Sequence, residues 1–300
     1  MTRYAIVGLL ILGCGTTSVT RFDDGGKGEG GGSDASDPHG DASFSTDAAA
    51  ADDCSDAAKL VYLFTDSANL YSFDPPNKKL TSLGQLSCPS SSSPNSMAVA
   101  RDGSAYVNYA DGSIFKVDIK SLSCSSTAFK ASGWTTMGMG FSTNGTASKD
   151  ETLYVAKIVS TLGSSSELAR VVLPTMKLET INTFSSTAFG GLSPELTGTG
   201  DGRLYGFFVD FVLGSAAKLA EVDKTNASAL SNVTLSQITS VGAWAFSFWG
   251  GDFYLYYASG VASSKVGRYR PSDKTFVDYM TTNVRIVGAG VSTCAPVTPR

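Results

Sequence analysis

The sequence predicts an all-β fold: a five-bladed β-propeller of four-stranded antiparallel blades, closed by a C-terminal strand that completes blade one. Two observations predict it. A strand centred on tyrosine recurs five times, as "LVYLF" at 60, "SAYVN" at 104, "TLYVA" at 152, "RLYGF" at 203 and "DFYLY" at 252. A repeat of this length means a solenoid or a propeller. The count of strands is also uneven at both ends of the array. The first unit begins at its tyrosine strand, and the chain ends on a spare strand, "VGAGV" at 287. A propeller uses such a leftover to close its ring, so that neither half-blade keeps an open edge.

Within a unit the order is constant. A first strand rich in small residues comes first: "NSMAV" (95), "MGMGF" (137), "ELTGT" (195) and "WAFSF" (244). A tight turn follows at Asp102-Gly103, Asn144-Gly145, Asp201-Gly202 or Gly250-Gly251, residues that accept the positive φ of a short hairpin. The tyrosine strand is second. Third come "LYSFD" (70), "IFKVD" (114), "LARVV" (168), "LAEVD" (219) and "VGRYR" (266), and a looser fourth strand ends the blade. Strands crowd together at a narrow axis, so one row of the first strands must be small. That row reads Ser96, Gly138, Leu196, Ala245, Gly288 and Ala98, Gly140, Gly198, Ser247, Gly290. Val99, Phe141 and Phe248 fill the gaps between blades. Tyr62, Tyr106, Tyr154, Tyr205 and Tyr254 are read as large rings packed between blades, with sugar stacking as the sharper alternative.

The N-terminal part is of a different kind. Arg3 and the apolar run Ala5–Leu12 form a signal segment too short to span a bilayer as a mature helix. Its end, Ile11-Leu12-Gly13-Cys14, resembles a bacterial lipobox. That resemblance implies cleavage before Cys14, lipid on its sulfur and new amino group, and, with the uncharged Gly15 next, the outer membrane. An ordinary signal peptide with an incidental cysteine is the other reading. The expected organisation is a signal peptide over 1–13, a lipidated and disordered tether over 14–57, the propeller over 58–296 and a tail over 297–300. The tether is rich in Gly, Ser, Ala and Asp, too poor in apolar surface to offset its ordering entropy. It holds most of the acidity. From Ala58 onward there are 20 Lys and Arg against 17 Asp and Glu, a near-neutral domain without a nucleic-acid footprint.

Four cysteines remain after Cys14. An exported chain with an even number favours two disulfides, and ring closure selects among three pairings. Cys54 precedes the first tyrosine strand and Cys294 follows the closing strand, so these two pair. Cys88 and Cys124 then pair across the outer parts of blades one and two. Neither CxxC spacing nor a nearby histidine supports a metal site.

The single histidine, His39, falls in the tether, which removes a Ser-His-Asp triad and a His-based metal site from the domain. No cofactor or metal is expected. Glycoside hydrolysis would need a facing pair of carboxylates. Among the first positions of the inner strands, Asn95, Met137, Glu195, Trp244 and Val287, only Glu195 is acidic. It reads as a lone acid, a ligand contact or a solvated rim charge. "GTGDG" at 198 reads as a hairpin turn, since no helix or lysine follows to make a phosphate loop. Asn95, Trp134, Glu195 and Trp244 are the candidate ligand-binding residues, grouped at the starts of the inner strands. They suit a saccharide or a peptide or protein partner at one mouth of a monomeric ring; a carboxylate-dependent carbohydrate-active hydrolase is the alternative.

The segments "SMAVARDGSAYVNYADGSIFKVD", "ELTGTGDGRLYGFF", "AWAFSFWGGDFYLY" and "VGAGVSTCAP" resemble a group of uncharacterised predicted secreted lipoproteins of myxobacteria and their relatives, over residues 59–296. The resemblance implies export and a membrane anchor. It carries over no catalytic residues.

Overall fold

A computed structural model describes residues 54–298 except 131–132, 147, 160–163 and 211–212. The signal segment, Cys14, His39 and all of the tether up to residue 53 lie outside the described residues.

Among the described residues, twenty strands form five four-stranded antiparallel sheets. In chain order, β1 (Val61–Thr65), β2 (Asn69–Asp74) and β3 (Lys79–Gln85) belong to blade 1. Blade 2 is β4 (Pro94–Val99), β5 (Ser104–Tyr109), β6 (Ile114–Asp118) and β7 (Ser123–Ser126). Blade 3 is β8 (Met137–Thr143), β9 (Glu151–Lys157), β10 (Glu167–Val172) and β11 (Lys177–Thr183). Blade 4 is β12 (Ser193–Gly198), β13 (Leu204–Val209), β14 (Ala217–Val222) and β15 (Ala229–Leu235). Blade 5 is β16 (Ala243–Trp249), β17 (Asp252–Ala258), β18 (Lys265–Arg270) and β19 (Thr275–Thr281). The last strand, β20 (Ile286–Val291), pairs antiparallel with β1, Gly290 opposite Tyr62. The spare strand closes the ring as expected.

The core is divided among the five junctions, and each junction holds one repeat tyrosine. Tyr62 packs between blades 1 and 2, Tyr106 between 2 and 3, Tyr154 between 3 and 4, Tyr205 between 4 and 5, and Tyr254 between 5 and 1. They are 3–8% exposed, which leaves no ring face for a sugar. Val99, Phe141 and Phe248 lie in the same junction clusters.

The innermost strands run side by side in one direction around the axis. A Cβ at Gly138 would lie 2.2 Å from the Pro194 carbonyl oxygen, and one at Gly140 2.9 Å from the Leu196 carbonyl. One at Gly288 would meet the backbone of Ser96 and Met97, one at Gly290 that of Ala98. Backbone cannot yield as a side chain can, so small residues are compulsory here.

In blade 4 the row departs from expectation by one residue. The strand partners of the five tyrosines are Gly290, Ala98, Gly140, Thr197 and Ser247. Two residues earlier the row reads Gly288, Ser96, Gly138, Glu195 and Ala245. Thr197 and Glu195 therefore hold the places expected of Gly198 and Leu196. Leu196 turns instead into the junction of blades 3 and 4. Gly198 is small for another reason: its Cβ would lie 2.1 Å from the Phe141 carbonyl oxygen.

The hairpin turns also differ in one copy. Gly103, Gly202, Gly250 and Gly251 take positive φ, between 62° and 90°. The connection after Thr143 is a wider loop, closed by Asn144 N–H donating to Asp150 O (2.8 Å), so Asn144-Gly145 is no tight turn.

Two disulfides tie the ring. Cys54–Cys294 (Cα–Cα 5.8 Å) joins the chain before β1 to the chain after β20, and Cys88–Cys124 (Cα–Cα 5.1 Å) joins the outer parts of blades 1 and 2. Both pairings are those read from the sequence. Structural disulfides mark an extracytoplasmic protein. No helix among the described residues is long and apolar enough to cross a membrane.

Candidate functional site at the open mouth of the ring

The two ends of the axis differ. Where the inner strands finish, the segment after β20 lies across the end and touches all four other blades. Thr293 Oγ1 donates to Glu151 Oε2 (2.9 Å), whose other oxygen accepts Arg101 N–H (2.6 Å). A Cβ at Gly200 would lie 2.3 Å from the Thr293 carbonyl oxygen, and Gly250 N–H donates to Pro296 O (2.7 Å). Ser292 and Thr293 are buried. Burial raises the Glu151 carboxyl above its usual range, against the pull of these hydrogen bonds. This mouth is closed by the chain itself.

Where the inner strands begin, a depression of about 170 Å³ opens. Asn95, Glu195 and Trp244 line it, together with Pro94, Ile158 and Val287. Three of the four candidate residues thus meet at one mouth, brought there by β4, β12 and β16.

Trp134 stands apart. It is 5% exposed and packs with Phe129 and Met137 in the junction of blades 2 and 3. Its place three residues ahead of β8 carries it away from the axis.

Glu195 is not a solvated rim charge. The corrected register puts it one layer inside the mouth, 2% exposed, where its blade 3 neighbour is Gly138. Its side chain reaches toward blade 2, where Ser96 Oγ donates to Oε2 (2.8 Å). Burial drives its pKa well above the ordinary carboxyl value; hydrogen bonds from Ser96 and from the backbone of Met139 and Leu196 oppose the shift. Inner strands are sheet edges whose outward N–H groups need partners. Glu195 supplies one to Met139 across the blade boundary.

Asn95 is committed in part. Its Nδ2 donates to Asn108 Oδ1 (2.8 Å) and to Met137 O (3.0 Å), tying blade 2 to blade 3. That leaves Oδ1 as its remaining polar atom at the mouth. Trp244 is half-buried opposite Tyr257 on β17, where it lines the depression and packs against the cluster between blades 4 and 5. The arrangement offers a partly buried tryptophan, an amide oxygen and a deep carboxyl group. Glu195 is the single carboxylate among the described lining residues.

No family model matches the chain, and no curated protein matches it. Solved structures similar to it include TolB from Acinetobacter baumannii (14% identity, TM-score 0.42), over 74% of this chain and 52% of that one. A protein of unknown function from Bacteroides caccae matches at 10% identity and TM-score 0.40, over 77% of this chain and 97% of that one. The outer coat vertex of COPII on membranes matches at 15% identity and TM-score 0.44, over 73% of this chain and 57% of that one. The chain spans about half the length of the TolB structure. At such identities the likenesses concern fold alone.

Proposed function

We propose that the protein is a binding module: a rigid ring, held to the outer membrane through lipid on Cys14, that takes a saccharide unit or a side chain of a peptide partner at its open mouth. The observation that carries this reading is the meeting of Asn95, Glu195 and Trp244 at the one mouth the C-terminal segment leaves uncovered. A depression of about 170 Å³ suits one ring or one side chain rather than an extended ligand. An indole face with a few convergent polar groups is the usual make-up of such a site. The hydrolase reading is weaker, because a glycosidase needs a second carboxylate about 5–9.5 Å from the first. Among the described residues that line the depression, Glu195 is the one acid.

The test is titration of the full chain with mono- and oligosaccharides and short peptides, followed by tryptophan fluorescence. Trp244→Ala abolishes the response of a true ligand, whereas Trp134→Phe leaves it intact. If no compound responds, or the response survives Trp244→Ala, the mouth is not the site. Turnover of a glycoside that is lost in Glu195→Gln would instead establish the hydrolase. Mass analysis of the mature N-terminus checks the lipid on Cys14.

A further inference from the structure

Each repeat tyrosine faces a residue on the third strand of its own blade. In blades 1 to 5 these partners are Ser72, Lys116, Arg170, Glu221 and Arg268. Four of the five tyrosines also have a basic side chain of the chain close by. Lys116 Nζ lies 5.9 Å from the Tyr106 ring, and Lys224 Nζ 5.9 Å from the Tyr154 ring. Arg203 Nη1 donates to the Tyr205 hydroxyl (3.3 Å). The Arg268 guanidinium sits 5.1 Å from the Tyr279 ring, which packs edge-on to Tyr254 at 5.4 Å.

Tyr62 is the exception. Its partner is the short Ser72, its hydroxyl donates to Ala57 O (2.8 Å), and burial raises its pKa. At this junction a groove of about 610 Å³ opens between blades 1 and 2, larger than the groove of about 420 Å³ that Arg203, Tyr205 and Lys274 line between blades 4 and 5. Leu60, Leu83 and Ile119 supply apolar wall, and Asp102 and Asp118 supply carboxylates. The charged groups around it are few. Lys120 lines the groove, Lys116 lies 3.5 Å from Asp102 on the blade 2 side, and Lys59 lies 3.7 Å from Asp56 near the N-terminal turn.

We propose that this groove receives an arginine or lysine side chain from a peptide or protein partner. The ring supplies the template, since the equivalent junctions hold a basic side chain of their own. Apolar wall suits the aliphatic stem of such a residue, and carboxylates suit its head. The site is distinct from the open mouth and does not depend on it.

The experiment is titration of the ¹⁵N-labelled full chain with the capped tripeptide acetyl-Gly-Arg-Gly-amide and with its citrulline counterpart, an uncharged isostere. The arginine peptide shifts the amides of Ser72, Gly103 and Ser104, and added salt weakens it. The citrulline peptide binds at least about tenfold more weakly, the worth of one charge-assisted contact. Ser72→Arg places the chain's own guanidinium where blades 3 and 5 have theirs, and it removes these shifts with the rest of the spectrum unchanged. Should that variant not fold, Asp118→Asn serves in its place and weakens the arginine peptide selectively. Equal shifts from both peptides, shifts elsewhere only, no shifts at millimolar peptide, or full binding by Ser72→Arg would each overturn the proposal.

Discussion

Glu195 is the one member of its row with a side chain long enough to reach past the next blade, since its counterparts are Gly288, Ser96, Gly138 and Ala245. Its burial has a thermodynamic consequence. The folded chain holds the Glu195 proton more tightly than the unfolded chain, whose carboxyl titrates at about 4.3. The stabilisation from this group is therefore fully present below the unfolded pKa and is lost as pH rises through the raised folded pKa. Glutamine keeps the shape and lacks the charge. The stability of Glu195→Gln relative to the natural chain should grow as pH rises above that of a free carboxyl, as read by denaturant midpoints at a series of pH values. A difference that shrinks with rising pH would mean that the ionised carboxylate is what the axis stabilises.

At the level of the strand and turn, much of the blade was legible and some was not. The tyrosine strands could be read because a large ring in an apolar strand recurs at every junction. Gly103 and Gly202 could be read because a tight turn needs positive φ. The register of blade 4 misled because two kinds of crowding produce the same residue: Gly140 is small for the backbone of blade 4, Gly198 for that of blade 3. The turn between third and fourth strands was not legible at all. In every blade one non-glycine residue there takes a left-handed conformation: Lys78, Leu122, Met176, Ala227 and Lys274, with φ of 51° to 60°. No common residue type announces it. A non-glycine residue in this region costs about 1–2 kcal/mol, part of which glycine returns through its own greater unfolded entropy. Lys274 is exposed, so Lys274→Gly should raise stability by about 0.5–1 kcal/mol by chemical denaturation. Loss of stability there would mean that the lysine side chain, and not its backbone, matters at this turn.

For the ring as a whole, the question is where it opens. Continuous chain crosses all five junctions, the last through residues 282–285 between β19 and β20; inside the first blade, however, β20 and β1 come from opposite ends of the domain. The uneven strand count made this closure legible, and it also picked the Cys54–Cys294 pairing. Capping of one mouth by residues 292–296 was not legible, because it depends on Arg101, Glu151, Gly200 and Gly250 meeting from four blades. Opening should start at the closing strand, where the sheet is held without chain continuity. The Cys54–Cys294 bond spans 240 residues, and the Cys88–Cys124 bond spans 36. In the chain-entropy account the first contributes about 5 kcal/mol and the second about 4 kcal/mol, less any strain. Entropy alone separates them little, yet their positions separate them strongly. Cys294→Ser also frees the segment that caps the mouth, so limited proteolysis should cut within residues 286–298 before any other strand, and the melting temperature should fall. Loss of Cys88–Cys124 should lower the melting temperature while the first cuts stay at the outer edge of blades 1 and 2. Should Cys294→Ser be cut first in an outer strand instead, the clamp would not be what holds the ring shut, and β20 would be secured by its ladder with β1 alone.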